Sequence, residues 1–264
     1  MKKYLEILEI SFKTQLVYRF DVVFQMLFSV IKIIFATVVW GAIYAERSEV
    51  AGFTLGAMLS YYVFNAFLSQ LDLSDTVSYE LMGQIRNGTF SKYMVVPVRV
   101  LGWFWAQLAG KAAFFFAFNL LAAVLWTILF RVDFIITANP LMIAGALLLA
   151  GLGLIFMLQL NFFLGILTFK FQDIWVFLMI KTNILALVTG SLVPLALLPQ
   201  PVVAVLRLLP FYYGTYLPSM LLIGKNGGEL LPGLLTLAAW VLVFIPVNAI
   251  TYQRLRTRYV GVGI

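Results

Sequence analysis

Three lysines stand in otherwise apolar surroundings: Lys32 within Val22–Ala45, Lys111 within Leu101–Phe130, and Lys181 in the stretch that opens at Ile174. An ammonium at bilayer depth costs about 2.5 to 3.5 kcal/mol on insertion scales, and less where the side chain reaches back toward the headgroups. All eleven carboxylates fall outside these stretches, so none lies within them to offset that cost. Two chemistries follow. Either one or more of the lysines lines a path for a substrate with an anionic group, such as a lipid phosphate, or Lys111 and Lys181 simply extend toward the membrane surface. Lys32 is the deepest of the three and the best candidate for a path.

Other chemistries are excluded by what is missing. With no cysteine and no histidine, the chain has no disulfide, no Cys/His metal site, no cysteine nucleophile and no Ser-His-Asp arrangement. The acids nearest a membrane surface, Asp72, Asp75, Glu80 and Asp173, follow no carboxylate motif. No G-x-x-x-x-G-K-[ST] phosphate loop occurs, since the one Gly-Lys pair, Gly224-Lys225, is followed by Asn226. No catalytic residue and no metal ligand is therefore assigned, and an enzyme is not expected.

The elements that position the lysines follow from composition. A chain of 264 residues that is 63% hydrophobic and 11% charged reads as an all-α polytopic membrane protein without a separate soluble domain. Residues 1–20 place Leu5, Leu8, Phe12 and Leu16 at helical spacing opposite Lys2, Glu6, Glu9 and Lys13, the pattern of an amphipathic interfacial helix. Acidic Glu6 and Glu9 argue against a cleaved signal, so this start is expected to be retained and cytoplasmic. Apolar runs long enough to cross a bilayer, which takes roughly 20 helical residues, cover Val22–Ala45, Val50–Gln70, Leu101–Phe130, Pro140–Phe169, a fifth run from Ile174, and Pro232–Tyr252. Gly52 and Gly56 form a small-xxx-small pair in the second.

Five of the nine prolines fall between Pro194 and Pro218, which no straight helix accommodates. A re-entrant helical hairpin over 198–223 on the outer side keeps the tail, 253–264 with Arg254, Arg256 and Arg258, cytoplasmic. That arrangement satisfies the positive-inside tendency for most of the eighteen basic residues. Six transmembrane helices with both termini inside result. The net charge of +7 sets topology, and no nucleic acid is expected as a partner.

The longest polar interruption is 71–99. A helix from about Asp75 carries Val77, Leu81 and Ile85 on one face, Asn87-Gly88 stops it, and a second short turn runs through Phe90, Tyr93 and Met94 to Pro97. An amphipathic cytoplasmic element of this kind suits docking.

At this point the residues resemble a family. GQIRNGTFSKYMVVPV, Gly83–Val98, resembles the segment after the second span in permease subunits of ABC type 2 exporters, and the proline-rich run Leu192–Gly224 is similar to their stretch before the last helix. The resemblance implies a dimer of permeases, identical or related, in contact with membrane lipids and driven by a separate ABC ATPase. ATP and Mg would sit on that partner, with no cofactor in this chain. Glu80, Gly83, Arg86, Gly88, Phe90 and Pro97 would couple to it, and Lys32, Lys111 and Lys181 would be the residues nearest a substrate path. A bacterial-type plasma membrane and export of a hydrophobic or amphipathic substrate are implied by the same resemblance. An ATP-independent channel or secondary transporter is the alternative, weakened for proton coupling by the lack of acids and histidines in the spans.

Overall fold

Apolar residues at helical spacing dominate the chain, and the computed structural model is helical accordingly. It describes residues 2–17, 19–130, 135–191 and 193–259. In order come α1 (Lys2–Val17), α2 (Arg19–Tyr44), α3 (Leu55–Leu71), α4 (Asp75–Arg86), α5 (Lys92–Val95) and α6 (Val100–Phe130). Then follow α7 (Pro140–Ile166), α8 (Thr168–Phe171), α9 (Trp175–Val188), α10 (Gln200–Leu206), α11 (Leu217–Leu222) and α12 (Leu230–Leu255). A π-helical turn, Tyr212–Tyr216, runs into α11. Among the described residues the only β pairing is a single bridge between Val50 and Phe53.

The hub is α7. Asn139 caps it by accepting from the Leu141 N–H at 3.0 Å, and Pro140 occupies the first turn, where its missing N–H costs nothing. Its 27 residues reach about 40 Å at 1.5 Å per residue, more than the ~30 Å hydrocarbon core. The first half joins a core with Tyr61, Tyr212, Tyr216 and Leu217; the second half joins another with Leu81, Phe90 and Phe104. Helix α12 packs along α7, and Asn248 donates to the Gln159 carbonyl at 3.0 Å inside that contact.

Helix α1 lies along α6, as an interfacial helix must if it is to touch the bundle. Bare backbone at Gly110 permits this, since a Cβ there would sit 2.2 Å from the Leu8 carbonyl oxygen. Phe12 meets Phe114 edge to face at 5.5 Å, while Leu5, Ile10, Leu16 and Val17 are exposed.

The limits of the apolar elements and the place of Gly52 differ from the sequence expectation. Among the described residues three helical stretches are long and apolar enough to cross a membrane: Val100–Phe118, Pro140–Phe171 and Gly227–Arg258. Helix α9 has 14 residues, about 21 Å, and so falls short of a full crossing on its own. Gly52 is not a helix-packing glycine: with φ +76° it makes the tight turn beside the Val50–Phe53 bridge, and α3 begins only at Leu55. Gly56 does lie in α3, facing Ile135. The 198–223 stretch is broken as its prolines require, into α10 and the π turn with α11, joined by a turn after Leu206. There Arg207 pairs with Glu229 at 2.8 Å, and Tyr212 donates to the same carboxylate at 2.7 Å. Arg131, Asp133 and the last residues of the tail lie outside the described residues.

Candidate functional site

The 71–99 segment turns its apolar face inward. Val77, Leu81 and Ile85 are buried, and α4 packs on α7. The approach is close because Gly165 has no side chain: a Cβ there would lie 2.7 Å from Leu81 Cδ1 and 3.2 Å from the Ser78 Cα. The helix ends as the Asn87-Gly88 pair predicts, with Gly88 in the left-handed conformation at φ +71°.

Polar groups then fasten the segment at both ends of α4. At its start, the Lys181 ammonium of α9 donates to Asp75 and, at 2.8 Å, to the side-chain oxygen of Asn161 on α7. Asn161 in turn donates to Ser74 Oγ at 2.7 Å, and Ser78 donates to the Asp75 carbonyl at 2.8 Å. Asp72 accepts from both the backbone and the hydroxyl of Ser74. Three helices thus meet on one buried ammonium. The spans hold no carboxylate for Lys181, as the sequence says, but the fold supplies one from the adjoining segment. Desolvation raises the Asp72 carboxyl above its ordinary value; the Ser74 hydrogen bonds oppose the rise, Asp75 adds to it and Lys181 subtracts from it.

Farther along α4, Glu80 is held by Tyr93, whose hydroxyl donates at 2.9 Å, and by Gln107 of α6 at 3.3 Å. Lys111, on the same helix as Gln107, lies within electrostatic reach of Glu80. Burial first, then the Glu80 charge, keeps the Tyr93 hydroxyl above its ordinary value, so it remains a donor at neutral pH.

The third fastening is aromatic. Phe90 is fully buried, 5.0 Å from Phe169, 5.4 Å from Tyr93 and 5.6 Å from Tyr259 between ring centres. Tyr259 also donates its hydroxyl to the Gly88 carbonyl and accepts the Ser91 N–H at 3.2 Å. Tyr259, Asn161, Ser74 and Gln107 were not singled out in the sequence. Asn161, a polar residue amid leucines and phenylalanines, was the one visible signal among them.

The expected coupling residues therefore divide. Glu80 and Phe90 point inward. Arg86 reaches Asp173 at 3.3 Å with both side chains about half exposed, and Gly83 has open space where a Cβ would stand. Pro97 is exposed, and its carbonyl receives the Lys3 ammonium of α1. Of the path lysines, Lys181 is paired with this segment and Lys111 lies only within electrostatic reach of it; the Lys32 side chain lies outside the described residues. Outward, Met94, Val95 and Val96 form an exposed apolar knob, with Val95 82% accessible, between Lys92 and Arg99. The geometry is adhesive and mechanical: an outer contact surface whose inner side is bonded to α6, α7 and α9.

A family model described as ABC-2 family transporter protein matches residues 22–263. Neither the curated proteins nor the solved structures give a match.

Proposed function

The chain belongs to the ABC-2 transporter family, and from that premise we propose that it is the permease subunit of an exporter moving a hydrophobic or amphipathic substrate. As a family member it is a multi-pass membrane protein and the membrane component of an ABC transporter, not its catalytic part. The family implies an ABC ATPase as partner. In our reading that ATPase is a separate chain, and it docks on the 71–99 segment. Six passes, cytoplasmic termini, an outer hairpin over 198–223, a second permease subunit and a bacterial-type inner membrane complete the proposal.

One observation carries it. The segment presents an exposed apolar knob at Met94–Val96 on one side, and on the other it is fastened to α9 through Asp75, to α6 through Glu80 and to α8 through Phe90, and it packs along α7. Contiguous exposed apolar side chains mark contact with a partner protein or with the membrane. Motion imposed at the knob would pass into α6, α7 and α9 through packed and hydrogen-bonded groups rather than through a slack linker.

The test is recovery of partners with the tagged chain from solubilised native membranes, using the normal chain and Val95→Asp. Recovery of an ATPase with the normal chain and its loss with the variant supports the docking role. If a folded normal chain recovers no ATPase, the permease reading gives way to the channel or secondary-transporter reading.

A further inference from the structure

Beside the Lys181 cluster lies a half-open cavity of about 260 Å³, lined by the α3–α4 link, α7, α9 and the residues around the π turn. Its existence depends on a backbone contact. At Gly153 a Cβ would stand 2.7 Å from the Gly214 Cα, so α7 and the π turn meet without side chains, and the space opens next to that contact. Turns of π-helix recur at functional sites because they displace the helix wall.

The polar wall favours one sign of charge. Asp72 and Asp75 line it, and among the described residues no basic one does. Lys181 bonds to Asp75, and among the described residues Asp72 has hydrogen bonds only from Ser74, with the Lys181 charge acting on it from a distance. Three of the five lining hydroxyls agree with this. Thr182 donates to the Leu178 carbonyl at 3.0 Å, Thr189 to Leu185 at 2.7 Å and Ser191 to Ala186 at 3.0 Å. Their protons are committed to backbone, so they offer lone pairs to a ligand. Two carboxylates against the single Lys181 ammonium, with three hydroxyls that present lone pairs, suit a cation better than an anion.

The remaining wall is apolar and aromatic, with Phe156 and Phe211 5.7 Å apart at 68°. Ring faces attract ammonium groups that do not need full hydration. The volume is just below the ~300 to 1,000 Å³ of ligand pockets, enough for a small aromatic ammonium or the head of a longer amphiphile.

We propose that this cavity binds a monovalent organic cation with an apolar body, its ammonium near Asp72 and its body against Phe156 and Phe211. This narrows the substrate class and rests on the export reading only for the step that carries the ligand across the membrane.

The test is calorimetric titration of the purified full chain in lipid nanodiscs, without ATPase, using benzyltrimethylammonium and benzenesulfonate as probes. We expect saturable binding of the cation, none of the anion, and at least tenfold weaker cation binding in Asp72→Asn. Ala186→Phe fills the cavity without changing any charge, and it should abolish binding while an unchanged unfolding midpoint certifies the fold. Absence of saturable cation binding, equal binding of the anion, or normal affinity in folded Ala186→Phe overturns the proposal. Should Asp72→Asn not fold, Ala186→Phe and the anion control decide. Lost binding with ATPase recovery intact removes this inference alone, whereas cation binding without any recoverable ATPase removes the export reading alone.

Discussion

The Lys181 ammonium and the Asp75 carboxylate, 106 positions apart in the chain, form an ion pair that ties the apolar helix α9 to the segment proposed to receive the ATPase. Lys181 is 8% accessible and Asp75 44%, so removing the acid strands a buried charge, while removing the lysine leaves a carboxylate that water still reaches. Asp75→Asn should therefore destabilise more than Lys181→Met. The expected cost is about 1 to 3 kcal/mol, below the ~3 to 5 of a fully buried pair because Asp75 is partly hydrated. Unfolding midpoints in detergent measure this. A loss smaller for Asp75→Asn than for Lys181→Met contradicts the account.

Close packing of α4 on α7 predicts that Gly165→Ala is costly. The added methyl meets Leu81 and the Ser78 backbone, and overpacking of this kind costs about 1 to 3 kcal/mol. Leu81→Ala costs about 2 to 5 kcal/mol by itself, but the double variant should lose less than the sum of the two, since the 2.7 Å clash with Cδ1 goes while those with Leu81 Cβ at 2.9 Å and the Ser78 Cα stay. Independence of the two substitutions in a double-mutant cycle would refute the contact.

Gly83 gives the opposite expectation. Nothing lies within 4 Å of its Cβ position, so Gly83→Ala should stabilise α4 by up to about 1 kcal/mol through helix propensity. If the ATPase packs over this spot, the same methyl weakens retention of the partner. A higher unfolding midpoint combined with poorer ATPase recovery is the expected pair of results; unchanged recovery moves the docking surface away from Gly83.

Tyr259→Phe removes the hydroxyl that bridges Gly88 and Ser91 while keeping the ring beside Phe90. Hydrogen exchange at Gly88–Lys92 should rise with little change in global stability, because a single neutral hydrogen bond contributes only ~0.5 to 1.5 kcal/mol. Protection equal to the normal chain would show that the tail does not hold the segment.

Acid should weaken cation binding in the cavity. The groups acting on Asp72 are Ser74, Asp75 and Lys181, and their balance with burial puts its carboxyl above the ordinary 3.8. The folded state therefore holds this proton at higher pH than the unfolded chain does, so the penalty for ionising Asp72 appears as pH rises through the raised value. Binding needs the ionised form, so affinity should fall on acidification before pH reaches 3.8. A flat profile down to that value would exclude Asp72 as the ammonium's partner.

How much of this was legible beforehand follows from the range of the interactions. Helix α4, its Asn87-Gly88 stop, the amphipathic α1 and the breaks after Pro194 were readable because spacing, φ preference and proline geometry act over a few residues. The apolar composition and missing histidine and cysteine likewise set the membrane class and excluded most catalytic chemistry. Span lengths were less legible: hydropathy counts apolar residues through a turn as readily as through a helix, so Val50–Phe53 looked like part of a crossing.

The lysines mark the boundary most clearly. From sequence, Lys111 and Lys181 were charges in apolar runs without carboxylates, and substrate contact or snorkelling were the available readings. Only the packing of α4 on α7 brings Asp75 into contact with Lys181 and Glu80 within electrostatic reach of Lys111, because charge interaction depends on separation in space and not along the chain. The cavity is of the same kind. Its acceptors come from α9 and the turns beside it, its aromatic wall from α7 and the π turn, and its charge from the α3–α4 link, so no local pattern encodes it. The sequence alone determined what could form helices and where they must stop; tertiary structure decided which charges are paired and which one faces an open space.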